Sequence, residues 1–187
     1  MTKRRVPVAF AAVILTVGLS SCTSQVGGQA NPSSAAESAT APSSSTASAD
    51  SPFTGFNQCT ILDQALAGEG FPPAAPALVR SKETCDTQKP TSGNTPGLTV
   101  GLSLQAGQNY KDNVGNPSQA SEGKVNGRPA VEEREPQNSS GQCGVWMEVK
   151  PNSRALVLVS SGSDTPTACQ KVEDVAAKIE PMLPKNN

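Results

Sequence analysis

Cysteines constrain this chain more than any other feature of its sequence. Five occur in 187 residues, and we assign the first, Cys22, to lipid attachment for reasons given below. The remaining four are Cys59, Cys85, Cys143 and Cys169. An even number of cysteines in an exported domain predicts disulfides, and four cysteines allow three different pairings.

The spacing of the four cysteines favours one of these pairings. The gaps from Cys59 to Cys85 and from Cys143 to Cys169 are equal (85 − 59 and 169 − 143). Each pair joins an expected helix to an expected strand, so we predict bonds 59–85 and 143–169. A bridge of this span contributes about 3–4 kcal/mol, chiefly by restricting the unfolded chain.

The absence of histidine excludes several kinds of site. A chain with no histidine has no Ser-His-Asp or Cys-His nucleophile, no histidine zinc ligand and no histidine general base. None of the cysteines forms a C-x-x-C motif, and the 15 basic and 16 acidic residues give a net charge of −1. We therefore predict no metal, no other cofactor and no nucleic-acid partner.

Residues 1–21 have the pattern of a lipoprotein signal peptide. Cations at positions 3–5 precede an apolar run over residues 6–19, which is shorter than the roughly 20 residues that span a membrane. The run ends in Leu19-Ser20-Ser21-Cys22, the pattern of a bacterial lipobox, in which the cysteine thiol carries a diacylglycerol. An ordinary signal peptide with an incidental cysteine is the alternative. The lipobox predicts lipid anchoring at the extracytoplasmic face of the cell membrane.

Residues 22–52 differ in composition from the rest of the chain. They are almost all small or polar, with Glu37 and Asp50 as the charged residues, so they cannot bury enough surface to offset the entropy of ordering. We predict a disordered Ser/Ala/Thr-rich stalk that connects the lipid to one compact, disulfide-bonded domain over residues 53–187.

Periodicity within residues 53–187 predicts an α+β fold. We expect a single twisted antiparallel sheet with an N-terminal and a C-terminal helix packed on it. A capping box at Thr60 begins the first helix, and Thr165 caps the last one. Strands are expected at residues 79–87, 98–105, 143–149 and 155–160, with the last of these central, and a hairpin at Asn126-Gly127 joins 124–125 to 130–134.

A cluster of charges could carry hydrolytic chemistry. Glu132, Glu133 and Glu135 surround Arg134, and two of these carboxyl groups could form a glycosidase pair. Alternation along a strand would place charges on both faces, which is typical of a solvated edge strand that resists aggregation. We interpret the cluster in this second way.

Two aromatic residues are the other candidates for a binding site. Trp146 has the opposite strand parity from Cys143 and Met147, so its ring either faces a second layer or is exposed to a ligand. Tyr110 follows the most regular strand and could line the same site. We predict both as weak ligand-binding residues.

Several segments resemble one known family. Besides the lipobox and the stalk, they are Cys59-Thr60-Ile61-Leu62, the stretch Val125-Asn126-Gly127-Arg128-Pro129-Ala130 and the stretch Thr165-Pro166-Thr167-Ala168-Cys169-Gln170-Lys171-Val172. They are similar to the actinobacterial lipoproteins of domain-of-unknown-function family 3558, over about residues 53–184. The resemblance implies a cell-envelope lipoprotein without an established activity.

The chain departs from that family at two places. Asn57-Gln58 stands where the family commonly has Asp-Pro, and Thr87 stands where it commonly has an aromatic residue. Both departures flank the first expected disulfide, so the packing of the first strand is the least determined part of the fold.

Two functional classes remain open. One is a non-catalytic binding or sensing module of the cell envelope, which would recognise an envelope protein or a small ligand. The alternative is an envelope hydrolase that works with carboxylates alone. A pocket with two carboxyl groups about 5–10 Å apart would favour the hydrolase. A flat apolar patch around Trp146 would favour the binding module.

Overall fold

The computed structural model describes residues 51–93 and 95–185. This part of the chain forms an α+β fold with one antiparallel sheet, which confirms the expected fold class. The helices are α1 (Gln58–Ala65) and α2 (Thr165–Ile179). The strands are β1 (Ala75–Pro76), β2 (Thr84–Lys89), β3 (Leu98–Ala106), β4 (Ala120–Val125), β5 (Arg128–Arg134), β6 (Gln142–Lys150) and β7 (Ser153–Ser160).

The predicted leader lies outside the described residues. This applies to the signal peptide, to Cys22 and to the stalk up to residue 50, so lipid anchoring stays a prediction. Within residues 51–93 and 95–185, no helix has both the length and the hydropathy needed to cross a membrane.

The strand order of the sheet is β1-β2-β3-β7-β6-β5-β4. The run at residues 155–160 therefore belongs to the central strand, as its apolar composition predicted. Strand β3 lies beside β7, whereas β4, the next strand in the chain, lies at the far edge. The connection between them, residues 107–119, has to pass β7, β6 and β5. We call this connection the covering loop.

Both helices pack on one face of the sheet, which we call the helix face. Helix α1 lies over β2 and β3, and α2 lies over β6 and β7. The core residues of α1 are Ile61, Leu62 and Ala65. The larger set contributed by α2 is Thr165, Ala168, Cys169, Val172, Val175, Ala176 and Ile179. Burial of a large apolar side chain contributes roughly 1.5–3 kcal/mol to the stability of the fold. Helix α2 therefore contributes more of the core stability than α1.

Helix α1 begins earlier than the sequence suggested. Its N-cap is Asn57, whose Oδ1 accepts a hydrogen bond from the Thr60 backbone N–H at 3.0 Å. The capping box predicted at Thr60 is therefore wrong. Asp63, its expected second member, instead accepts a hydrogen bond from the Ala74 N–H at 2.7 Å and holds the chain that follows the helix.

The N-cap of helix α2 also lies before the predicted residue, in this case by one position. Asp164 is its N-cap, because Asp164 Oδ1 accepts a hydrogen bond from the Thr167 N–H at 3.0 Å. The assignment of this cap to Thr165 is therefore wrong. The Thr165 hydroxyl donates to Glu135 Oε1 at 2.7 Å and accepts from the Gly141 N–H at 2.9 Å, so it ties the helix start to the end of β5.

The strand predicted at residues 79–87 is shorter than expected. Val79 is 76% exposed, the chain turns at Arg80 with φ 56°, and β2 begins at Thr84. Thr87 is buried, and its hydroxyl donates to the Pro72 carbonyl at 2.7 Å. This bond ties β2 to the segment that follows α1.

The hairpin at Asn126-Gly127 is confirmed, but its position in the sheet differs from our interpretation. Both turn residues have positive φ, 49° and 92°, as a two-residue turn between twisted strands requires. Edge position belongs to β4, and β5 lies between β4 and β6. The interpretation of Glu132–Glu135 as a solvated edge strand is therefore wrong, and Glu133 is fully buried.

Both predicted disulfide pairings are confirmed. Cys59 bonds to Cys85 with a Cα–Cα distance of 5.1 Å, and Cys143 bonds to Cys169 with a Cα–Cα distance of 4.9 Å. The first bridge joins α1 to β2, and the second joins α2 to β6. Cys59 is the one half-buried member, whereas the other three are buried.

Candidate functional site

A cleft opens on the helix face where the β4–β5 hairpin extends past α2. It encloses about 320 Å³, and we call it the hairpin cleft. It is lined by Ser121, Gly123, Lys124, Val125, Asn126, Ala130, Glu132, Val145, Glu173 and Ala177. One wall comes from the hairpin and the other from α2, while Val145 of β6 contributes the apolar floor.

An acid pair lies in this cleft. Alternation along β5 places Glu132 on the helix face, where it meets Glu173 of α2. Burial raises the pKa of Glu132, and a hydrogen bond and charge repulsion from Glu173 raise it further, against the opposing effect of Arg134. Glu132 and Glu173 therefore form a close pair of carboxyl groups in the cleft, with Glu132 half-buried and Glu173 exposed.

The acid pair lies next to the second disulfide. Glu132 Oε1 is 3.7 Å from Cys143 Sγ. Among the described residues, Glu132, Cys143 and Cys169 form the one group whose ligand-type atoms lie within 4.8 Å of one another. The two sulfur atoms are bonded to each other, so neither is available as a thiolate ligand. With the disulfide formed, Glu132 is the one residue of this group that could still bind a metal ion.

A second cavity of about 430 Å³ lies between the covering loop and β4. Its charged lining residues, Lys111 and Glu122, form an ion pair at 2.6 Å. These two charges already form an ion pair, whereas Glu132 and Glu173 are in none of the ion pairs found among the described residues. The hairpin cleft is therefore the stronger candidate site.

The sheet face opposite the helices carries buried charges that hold the covering loop. Arg154 of β7 is 4% exposed and donates to Gln105 Oε1 at 2.7 Å and to Gln108 Oε1 at 2.6 Å. It also donates to the backbone carbonyls of Asn109 and Asp112. Burial lowers the pKa of Arg154 from its ordinary value. These contacts give Arg154 a structural role beneath the loop.

Glu133 of β5 holds the other end of the covering loop. Its Oε1 accepts a hydrogen bond from the Asn116 N–H, while Oε2 is buried without a hydrogen-bond partner among the described residues. The loop is thus attached over β7 through Arg154 and over β5 through Glu133, on both sides of β6.

The aromatic residues predicted as ligand contacts do not line the cleft. Trp146 of β6 is only 5% exposed, and its ring lies against Gly144, where an added Cβ would be 2.5 Å from a ring carbon. The ring is therefore buried against its own strand. Tyr110 is half-buried in the covering loop, with the Lys111 ammonium 5.6 Å from its ring centroid. Ligand binding by either residue stays a prediction.

The sequence interpretation missed the role of Glu173. Glu132 was singled out, but as part of a local charge cluster, and its partner lies 41 residues later (173 − 132) on α2. The available signal was parity, since Glu132 and the core residues Ala130 and Cys143 lie on one face of the sheet. That parity indicates which strand face Glu132 occupies, but it does not identify the helical residue above it.

Comparison with known proteins gives one match. A family model described as "Protein of unknown function (DUF3558)" matches residues 17–182. No curated protein and no solved structure matches the chain.

Proposed function

This chain belongs to the DUF3558 family of proteins of unknown function, and we propose that it serves as a non-catalytic binding module of the cell envelope. In this proposal the chain is an actinobacterial-type lipoprotein, anchored through Cys22 to the extracytoplasmic face of the cell membrane. The stalk holds the folded domain away from the lipid, and the hairpin cleft binds a small ligand.

The observation that carries the binding role is the acid pair in the hairpin cleft. The carboxyl groups of Glu132 and Glu173 lie close together beside an apolar lining of Val125, Val145 and Ala177. A primary amine could donate charge-assisted hydrogen bonds to both carboxyl groups and offset the repulsion between them. The cleft thus suits a small ligand with an amine and a short apolar body.

The separation of the two carboxyl groups disfavours the hydrolase alternative. Glycosidases need their carboxyl groups about 5–10 Å apart, to leave room for the glycosidic bond or for water. Glu132 and Glu173 are in hydrogen-bond contact, which is closer than that range. The pair therefore suits ligand binding better than hydrolysis of a glycosidic bond.

Affinity capture tests the binding role. Full-length protein, purified in detergent, is exposed to envelope extract, and the retained small molecules are identified by mass spectrometry. We expect amine-bearing compounds to be retained by the wild type and lost from the double variant Glu132→Gln/Glu173→Gln. Asp174→Asn, which changes an exposed acid of α2 outside the cleft, is the matched control and should retain them.

Each other outcome of the capture experiment argues against the proposal. Equal retention by wild type and double variant would show that the cleft is not the site. Conversion of a retained compound by the wild type, but not by the double variant, would favour the hydrolase.

Anchoring has its own test. Changing Cys22 to Ala removes the thiol that would carry the diacylglycerol, so we expect release of the protein or accumulation of its precursor. Unchanged membrane attachment and unchanged incorporation of labelled palmitate in this variant would rule out lipidation at Cys22.

A further inference from the structure

Strand β4 leaves one side of its backbone unpaired. It pairs with β5 alone, and its middle residues, from Ser121 to Lys124, are all exposed. An unpaired strand edge is a template for another strand, and folded proteins usually block such edges. The opposite edge of this sheet is blocked, because β1 has two residues and one of them is Pro76. Edge β4 has six residues and no proline, and its charged residues, Glu122 and Lys124, oppose a partner strand only in a register that pairs like charges.

Pro129 reveals which groups of β4 point outward. It lies opposite Lys124 in the β4–β5 register, and it has no N–H to donate. This pair therefore occupies a position without interstrand hydrogen bonds, and the N–H and C=O of Lys124 point to the free edge. Because this orientation alternates along a strand, the same groups of Glu122 also point outward, whereas those of Gly123 face β5.

We propose that β4 is a self-association edge, and that its partner is the same strand of a second copy of this chain. An antiparallel pairing about a two-fold axis at Gly123 places Glu122 of each copy directly opposite Lys124 of the other. Each of these two pairs can exchange both backbone hydrogen bonds, because the groups of both residues point outward. The side chains of each pair lie on the same face of the joined sheet and have opposite charges. This inference does not depend on the proposed ligand.

The charges select this register over its neighbours. Shifting the axis to residue 122 would place Glu122 opposite its own copy, and shifting it to residue 124 would place Lys124 opposite its own copy. Like charges directly opposite each other destabilise a strand pair. An axis at residue 123 is the arrangement in which all four charges are paired with opposite ones.

The side chains of the edge are compatible with a close approach. A Cβ added at Gly123 would meet no atom within 4 Å, so a side chain at the centre of the strand is accommodated. Lys111 holds the carboxylate of Glu122 at 2.6 Å on the covering-loop side. Lys124 makes no ion pair with any residue that the structure describes, so its charge is available to a partner. Because the β1 edge is blocked, association through β4 closes at two copies and does not extend into a fibre.

Cysteine crosslinking tests the register directly. At a two-fold axis through a position without interstrand hydrogen bonds, the two Cα atoms at residue 123 would lie about 4.5 Å apart, within reach of a disulfide. Ser121 would lie about 14 Å from its own copy, at ~3.4 Å per residue. We expect mild oxidation of the full-length Gly123→Cys protein in detergent to give at least tenfold more covalent dimer than Ser121→Cys, the matched control.

A charge exchange provides the second measurement. In the Gly123→Cys background, Lys124→Glu places like charges opposite each other in both pairs, so we expect the dimer yield to fall roughly tenfold. Adding Glu122→Lys to that variant restores opposite charges in the same register and should restore the yield. Circular dichroism of each variant verifies that the monomer is folded.

Three results would overturn the proposal. They are a Gly123→Cys yield no higher than that of Ser121→Cys, a yield that does not respond to Lys124→Glu, and a failure of the exchanged double variant to recover. Ser121, Gly123 and Lys124 line the hairpin cleft, but these variants keep Glu132 and Glu173, and the dimer yield is measured without any ligand. The self-association edge and the proposed ligand site can therefore fail separately.

Discussion

The two disulfide-bonded units of this protein have the same covalent span but differ in packing. We call α1 with β2 the first unit, bonded through Cys59 and Cys85, and α2 with β6 the second unit, bonded through Cys143 and Cys169. Both bridges close a separation of 26 residues. Helix α1 has 8 residues and α2 has 15, and the second unit has both of its cysteines buried, whereas Cys59 is only half-buried.

This comparison separates two contributions of a disulfide. Restriction of the unfolded chain depends on the span, so it is the same for both units, about 3.5 kcal/mol each. The cost of losing sulfur atoms from a packed interior depends on burial, so it is larger for the second unit. Any difference in stability between the two units therefore comes from packing.

Removal of the bridges is expected to have the largest effect. We predict that Cys143→Ala/Cys169→Ala lowers the free energy of unfolding by about 4–6 kcal/mol, and Cys59→Ala/Cys85→Ala by about 3–4 kcal/mol. Urea unfolding of both variants, monitored by circular dichroism, measures the difference. A larger loss in the first unit would contradict the importance of α2 packing.

Two glycines, one in each unit, test the difference in packing with a smaller expected effect. Gly141, at the start of the second unit, has φ +77°, and an added Cβ would lie 2.0 Å from the Gly162 carbonyl oxygen. Gly68, which follows α1, has φ +80°, and nothing lies within 4 Å of such a Cβ. We expect the left-handed backbone to lower the free energy of unfolding of both Ala variants by about 1 kcal/mol. The clash should lower that of Gly141→Ala by roughly 1–3 kcal/mol more.

Thermal unfolding of the two glycine variants checks this prediction. Gly68→Ala is the matched control, since it has the same change of backbone preference without the steric contact. Equal melting temperatures would mean that the β6 start can move away from Gly162 without cost.

Glu69 and Glu132 are expected to have the smallest effects on stability, and these effects have opposite signs. Burial tends to raise the pKa of Glu69, but hydrogen bonds and charge attraction from Lys171 and Lys178 lower it overall. Its contribution to stability is therefore present above the unfolded pKa of about 4.3 and is lost as the pH falls through the folded pKa. Glu132 has a raised pKa, so its contribution is present below about pH 4.3 and is lost as the pH rises through the folded pKa.

Glutamine variants measure these two contributions. At pH 7 we expect Glu69→Gln to destabilise the protein and Glu132→Gln to stabilise it, each by up to about 1 kcal/mol, because both groups are partly solvated. Chemical denaturation at a series of pH values below 7 tests this. The stabilisation by Glu132→Gln should shrink as the pH falls through the raised pKa of Glu132, and the destabilisation by Glu69→Gln should shrink at lower pH, as the pH falls through the lowered pKa of Glu69. The same sign for both variants at pH 7 would refute the assignment.

Local patterns predicted much of the fold. Alternation located β3 and β6, the apolar run at residues 155–160 located β7 as the central strand, and Asn126-Gly127 identified the hairpin. The helix caps were each misplaced, because several residues near a helix start can accept the same hydrogen bond. Asn, Asp and Thr side chains can all cap a helix, so the sequence does not distinguish Asn57 from Thr60 or Asp164 from Thr165. The backbone geometry determines which residue accepts the hydrogen bond.

Contacts between residues that are distant in sequence could not be predicted from local patterns. Glu132 and Glu133 are adjacent in sequence, and alternation alone places them on opposite faces of a strand. Which of them becomes fully buried depends on the strands and loops that cover each face, and therefore on contacts distant in sequence. The covering loop buries Glu133, and α2 brings Glu173 to Glu132.

Residue types and their short-range spacing were therefore enough to exclude histidine chemistry, to pair the cysteines and to assign the α+β class. Those properties depend on composition, on chain entropy and on the periodicity of single elements. Tertiary structure alone determined that β4 rather than β5 lies at the edge, that Trp146 is buried, and that Glu132 and Glu173 line one cleft. These properties arise where segments distant along the chain meet, and the sheet order that brings them together depends on the packing of the whole domain.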